Sequence, residues 1–189
     1  MPTRTFSRTD AAILGMLTVE PMSGYDMKHF CDQSLAHFWH ENYGNLYPRL
    51  KRLRAAGLVR GRRERRAHGP DAIVYSLTTA GRRRFREWLR QEPHPEKVRS
   101  EFLLKIFFGA QAGLERSAGW IRDYQRQQQT TKRGYADVER MLRASLRDRP
   151  EALYWLMSLR RGQLVTEARL RWCRECLALM NDMTPEATP

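Results

Sequence analysis

Apolar residues recur at helical spacing in the first part of the chain, and the punctuation between them predicts three short helices. Ser7-x-x-Asp10 has the form of a capping box and opens a helix carrying Ala11, Ile13, Leu14 and Leu17 on one face. Glu20-Pro21 ends it, because the residue before a proline avoids the helical region. A second box, Ser23-x-x-Asp26, starts a helix bearing Met27, Phe30 and Cys31. The third helix is expected to begin near Asn42–Asn45, since Pro48 is tolerated only in a first turn. Its apolar face is Leu46, Leu50 and Leu53, and Gly57 stops it.

The period then shortens. Leu58–Arg63 and Ala72–Leu77 read as two strands, and His68-Gly69-Pro70-Asp71 supplies the turn residues of a hairpin loop. Thr78 or Thr79 caps a fourth helix with Phe85, Trp88 and Leu89. Three helices, a two-stranded wing and a further helix make the plan of a winged helix-turn-helix. Pro93-His94-Pro95 cannot continue a helix, so the division expected is a winged domain over 1–92 and a linker over 93–97. A helical domain follows over 98–182, then a disordered tail over 183–189.

Within that second domain Glu101–Ala112 is short and very apolar. The stretch from Leu114 to Leu146 repeats Leu114, Ile121, Tyr135, Val138 and Leu142 in a heptad-like seam with polar interruptions. After Arg149-Pro150, Ala152–Met180 has apolar residues on more than one side, including Trp172. One chain of this length is not expected to cover both surfaces. These six residues are therefore the expected dimerisation set, and the fold class is mainly α.

Charge changes the picture more than composition does. The 189 residues carry a net charge of +13 and a pI near 10.4, which points to a polyanionic partner. Of 34 basic residues 29 are arginine, and nine basic groups against one acid fall within Arg49–Arg66. Such a cluster repels itself unless an anion lies opposite, so Arg62, Arg63, Arg65 and Arg66 on the hairpin are read as a wing on phosphates. With the leucines of the third helix turned inward, Asn45, Arg49, Lys51 and Arg52 are expected on faces open to solvent. Asparagine there suits adenine and arginine guanine, while Tyr47 suits a phosphate. Double-stranded DNA is the expected partner.

Other classes recede. The apolar stretches are too short and interrupted to span a bilayer, the first residues lack a secretory apolar core, and three scattered cysteines fit reduced thiols. The expectation is a cytoplasmic protein with no membrane role. Cys173-x-x-Cys176 and His37-x-x-His40 each lack further ligands, so no metal site is expected. No nucleophile elbow, phosphate loop or zinc-protease motif is present, no cofactor is expected, and an enzyme is the least supported reading.

Ser23-Gly-Tyr25-Asp, Phe38-Trp39, Leu46-Tyr47-Pro-x-Leu50-x-x-Leu53-x-x-x-Gly57-Leu-Val59 and Tyr75-Ser-Leu-Thr-x-x-Gly81 together resemble the PadR family of winged-helix transcriptional regulators. Pro95–Lys105 resembles the entry to the larger C-terminal domain of that family's phenolic-acid-repressor branch, and Gly162, Glu167 and Trp172 fit its last helix more loosely. The resemblance implies a homodimeric repressor of a palindromic operator, often released by a small aromatic ligand, with dimerisation through the C-terminal helices. By it Tyr25, Tyr47 and the loop at His68 and Gly69 fall in the DNA-contacting parts; Ser23 and Asn42 are expected among the DNA-binding residues too. The expected effector site is drawn from Trp39, Phe107, Trp120, Tyr124 and Trp155, where a planar molecule sits among rings. The rival reading is a basic architectural or RNA-binding protein without sequence preference.

Overall fold

A computed structural model describes residues 6–35, 38–39, 46–65, 71–96, 98–145 and 148–183. The chain separates into two compact units, Met1–Pro95 and Glu96–Pro189, and the division falls inside the 93–97 stretch read as a linker. Residues 184–189 of the expected tail lie outside the described residues.

In the first unit, α1 spans Arg8–Val19, and the Ser7–Asp10 capping box is complete at its start. It ends at Glu20 in extended backbone, as the following proline requires. β1 (Met22–Ser23) leads into α2 (Gly24–Phe30), which opens on the second complete box, Ser23 with Asp26. A wide π-helical turn follows over Cys31–Leu35. α3 spans Leu46–Ala55 with Leu46, Leu50 and Leu53 buried, one per turn on the same side. Gly57 leaves it with φ +68, a left-handed conformation in which a β-carbon is disfavoured.

β2 (Val59–Glu64) and β3 (Ala72–Leu77) pair antiparallel, Val59 opposite Leu77 and Arg62 opposite Val74. The sheet has three strands rather than the two expected. Met22 pairs with Tyr75 and Ser23 with Val74, giving the order β1-β3-β2. Met22 and the helix cap Ser23, following directly on a proline, are too short to read as a strand, so only the partner β3 reveals them. Thr78 is the cap of α4 (Thr79–Leu89): its hydroxyl accepts from the Gly81 amide at 3.0 Å and donates to the Gly57 carbonyl at 2.8 Å. A β-carbon on Gly81 would stand 2.1 Å from the Leu58 carbonyl oxygen, so glycine is what lets α4 start so close to the strand. The core is Ile13, Leu14, Met27, Leu50, Val59 and their neighbours from all these elements.

In the second unit, α5 (Glu101–Phe107) is capped by Ser100 and followed by a tight turn at Gly109–Gln111. α6 (Leu114–Ala144) and α7 (Glu151–Asp182) pack along their lengths. Tyr124 meets Trp172, Gln128 meets Arg169 and Glu139 meets Gln163, so the two run antiparallel. The buried positions of α7, Ala152, Leu159, Gly162, Thr166, Leu170 and Cys173, keep three- and four-residue steps and form one stripe.

That stripe covers part of the expected dimer seam. Ile121 is 0% exposed within a single chain, and Tyr135, Val138, Leu142 and Trp172 are half-buried. α7 of the same chain packs on α6, because a short connection brings an antiparallel neighbour back at once. Leu114 alone of the set is exposed. The apolar surface left uncovered lies elsewhere: Val98, Leu103, Leu104, Phe107 and Phe108 around α5, and Leu153, Tyr154 and Met157 on α7. Among the described residues no helix is long and apolar enough to cross a membrane.

Candidate nucleic-acid interface

α3 presents Tyr47, 62% exposed, together with exposed Lys51 and Arg54. Tyr25, the second residue of α2, is equally open. The Tyr47 ring lies over the first residue of α2, where Gly24 has no β-carbon to obstruct it. Both tyrosines therefore sit on outward surfaces.

Two expected members behave differently. Arg49 and Arg52, three residues apart on α3, turn toward α1. Arg52 Nη2 pairs with Asp10 Oδ1, and Arg49 Nη1 reaches the same oxygen at 3.4 Å and the Ser7 hydroxyl at 2.6 Å. The expectation of open faces is thus corrected for both, because a buried carboxylate on α1 captures them. Asp10 is 2% exposed; burial opposes its ionisation, but hydrogen bonds from Ser7 and the Arg52 charge outweigh that and hold its carboxyl below the usual carboxylate range. Ser23 is also corrected. It is buried, its hydroxyl donates to Asp26 Oδ2 at 2.7 Å and accepts from the Asp26 amide at 3.2 Å, so it caps a helix rather than facing a ligand.

The wing is strongly cationic. Arg62 and Arg63 are about four-fifths exposed, and Arg65 is exposed too. Strand alternation puts Arg60 and Arg62 on one face and Arg63 on the other. Arg60 donates to the Ser76 hydroxyl at 3.1 Å, its cross-strand partner. Arg62 pairs with Glu64 at 2.5 Å and Arg63 with Asp71 at 3.0 Å. Exposed pairs of this kind exchange readily for a phosphate, since each contributes little in water. Asn42, Asn45, Arg66, His68 and Gly69 lie outside the described residues.

Within the second unit the expected effector residues do not gather in one site. Trp39, in the first unit, stands beside a cavity of about 10 Å³ lined by Ile13, Met16, Met27 and Cys31, room for a single water and not for an aromatic ring. In the second unit Trp120 and Tyr124 border an open groove with Glu101, Phe102, Lys105 and Gln127. Behind it Phe102 stacks on Tyr124 at 4.4 Å and meets Trp172 edge-on at 5.7 Å. Burial pushes the Tyr124 phenol up from its ordinary value. Phe107 is 80% exposed and packs on Phe108, and Trp155 stands 17 residues from Trp172 on one helix, about 26 Å away. Phe102 was missed, although its place in a short apolar helix was plain. Cys173 is buried and Cys176 half-buried, and burial raises both thiols. Asp10 was missed as part of this interface; its capping box was legible, but not the arginines 39 and 42 residues away.

Comparison with known proteins places these features. The sequence model of the transcriptional regulator PadR-like family matches residues 13–87, and that described as virulence activator alpha C-term matches residues 98–181. The negative transcriptional regulator PadR of Bacillus subtilis (strain 168) is 36% identical over 98 residues, 51% of this chain and 54% of that protein. The chain thus spans about half the length of that curated relative. The crystal structure of Bacillus subtilis PadR with operator DNA superimposes with a TM-score of 0.78 at 26% identity, covering 95% of this chain and 99% of the other. The structure of the same regulator with p-coumaric acid gives 0.70 at 25% identity, covering 90% and 97%. These proteins are transcriptional regulators by name.

Proposed function

We propose that the chain, which carries a PadR-like family domain over residues 13–87, binds operator DNA as a homodimer and represses transcription until a small aromatic ligand releases it. The observation that carries this reading is the pairing of exposed Tyr47 and Lys51 on α3 with the arginine-bearing wing of the same unit. A helix enters the major groove while a cationic ribbon lies on the backbone. The helix supplies discrimination and the wing supplies affinity without sequence information.

Two recognition helices related by a two-fold axis fit half-sites about one helical turn apart, on the order of 34–36 Å, and so a palindrome. The uncovered apolar patch of α5 supports a second copy, with the separate patch at the start of α7 as the other candidate, because exposed apolar clusters of that kind mark interaction surfaces. The groove beside Trp120 and Tyr124, backed by Phe102, suits a planar aromatic molecule; its polar lining is Lys105, paired with Glu101 at 2.7 Å, together with Asp123 and Gln127. Repression and the aromatic effector follow the Bacillus subtilis relative, named a negative regulator and crystallised with both operator and p-coumaric acid. Cytoplasmic location follows from a chromosomal target.

Selection of duplexes from a random pool by the purified protein tests the reading. A palindromic consensus bound at least about a thousand-fold more tightly than scrambled DNA supports it. Equal affinity for all duplexes at physiological salt overturns it in favour of an architectural protein. Release of the selected duplex by phenolic acids is the test of the effector.

A further inference from the structure

Arg49, Lys51, Arg52 and Arg54 all lie on α3, yet only Lys51 and Arg54 are fully turned to solvent. The other two meet at one carboxylate. Asp10 Oδ2 accepts from the Ser7 amide at 2.8 Å and the Ser7 hydroxyl at 2.9 Å, and Oδ1 accepts from Arg49 and Arg52. Every lone pair of the carboxylate is used, and it is bonded to the backbone of its own helix start. It cannot follow the arginines outward without undoing the α1 cap. Arg49 Nε is enclosed with no acceptor among the described residues, so that guanidinium stays inward although one of its donors is unmet.

We infer that Asp10 is a specificity-determining positioning residue, which withholds Arg49 and Arg52 from the DNA backbone while α3 reads the groove through its outward side chains. The inference rests on the DNA-binding reading above and deepens it. An arginine free to reach a phosphate adds affinity for every sequence alike and so lowers the ratio by which operator exceeds random DNA. Held by Asp10, the pair adds no such affinity. The same bonds tie α3 to α1 across 39 and 42 residues of chain and fix the angle at which Tyr47 and Lys51 are presented.

Asp10→Asn is the decisive variant, because asparagine also serves as a hydrogen-bonding partner at a helix start while the charge is removed. Affinity is measured against salt for the palindromic duplex selected by the wild type and for a scrambled duplex of the same composition. Asp10→Asn is expected to steepen the log-affinity against log-salt slope by about 0.9 for each arginine released, up to about 1.8 per protomer and about 3.6 for the dimer. Scrambled DNA should gain more than operator, so the specificity ratio falls. Arg49→Gln with Arg52→Gln in the wild type should leave the slope unchanged, and the same pair added to Asp10→Asn should restore it. A destabilised but otherwise passive Asp10 would lower affinity without steepening the slope. A folded Asp10→Asn protein with an unaltered slope overturns the inference, as does a slope made shallower by about 1.8 per protomer in Arg49→Gln/Arg52→Gln. The latter result decides the matter if Asp10→Asn does not fold. Wild type that shows no salt-dependent duplex binding sinks the DNA reading itself, which separates the two failures.

Discussion

The Cε1 atom of Tyr47 lies 2.7 Å from the point where a β-carbon on Gly24 would stand. The first residue of α2 is therefore the floor on which the exposed ring of α3 rests. Gly24→Ala forces the ring to swing outward, which it has room to do because Tyr47 is largely in solvent. A helical alanine in place of glycine gains about 0.5–1 kcal/mol, so stability should be unchanged or slightly raised. DNA affinity should nevertheless drop several-fold, and Tyr47→Phe should lose about 0.5–1.5 kcal/mol of binding if the hydroxyl meets a phosphate. Thermal melts beside duplex titrations check this; a Gly24→Ala protein that binds as tightly as wild type removes the ring from the interface.

The wing gives a uniform effect. Replacing Arg62, Arg63 and Arg65 by alanine should weaken operator and scrambled DNA alike, with the salt slope shallower by about 0.9 for each phosphate no longer neutralised. The native pairs with Glu64 and Asp71 are exposed, so melting temperature should hardly move. Fluorescence titrations at several salt concentrations measure both slopes. A loss confined to the operator would make the wing a base reader instead.

Acid should loosen the first unit through Asp10. Its carboxyl is held below the ordinary range in the fold, so it contributes stability that is full above the unfolded value of about 4 and is lost as pH falls through the lower folded value. Asp10→Asn should cost about 1–3 kcal/mol near neutrality, less than a fully buried pair because Arg49 and Arg52 are partly hydrated. The difference between variant and wild type should shrink on acidification. Denaturant unfolding of both proteins from neutral pH down to about pH 3 reads it directly, and a constant difference would show that Asp10 is not the group responsible.

The two kinds of apolar residue in the second unit should fail differently. Ile121→Glu buries a charge between α6 and α7 and should unfold the hairpin. Leu104→Glu with Phe107→Glu alters only exposed positions and should yield a folded monomer with little affinity for the palindrome. Circular dichroism and light scattering distinguish the outcomes. A dimer that survives the α5 pair moves the proposed interface onto Leu153, Tyr154 and Met157 of α7.

Much of the architecture was written locally. Both capping boxes, the stop at Pro21, the inward row Leu46, Leu50 and Leu53, the Thr78 cap and the cationic hairpin depend on neighbours within a few residues, where spacing alone selects the geometry. The heptad-like seam was legible too, but periodicity marks a face without naming what covers it. Only the return of α7 showed that the chain itself covers part of that face and leaves α5 bare. The third strand, invisible in Met22–Ser23, exists because β3 offers it an edge. The destination of Arg49 and Arg52 was likewise decided by folding. An arginine on a helix flank has the same sequence pattern whether it meets water, phosphate or carboxylate, and Asp10 became its partner only when α1 packed beside α3 and took both charges out of the open.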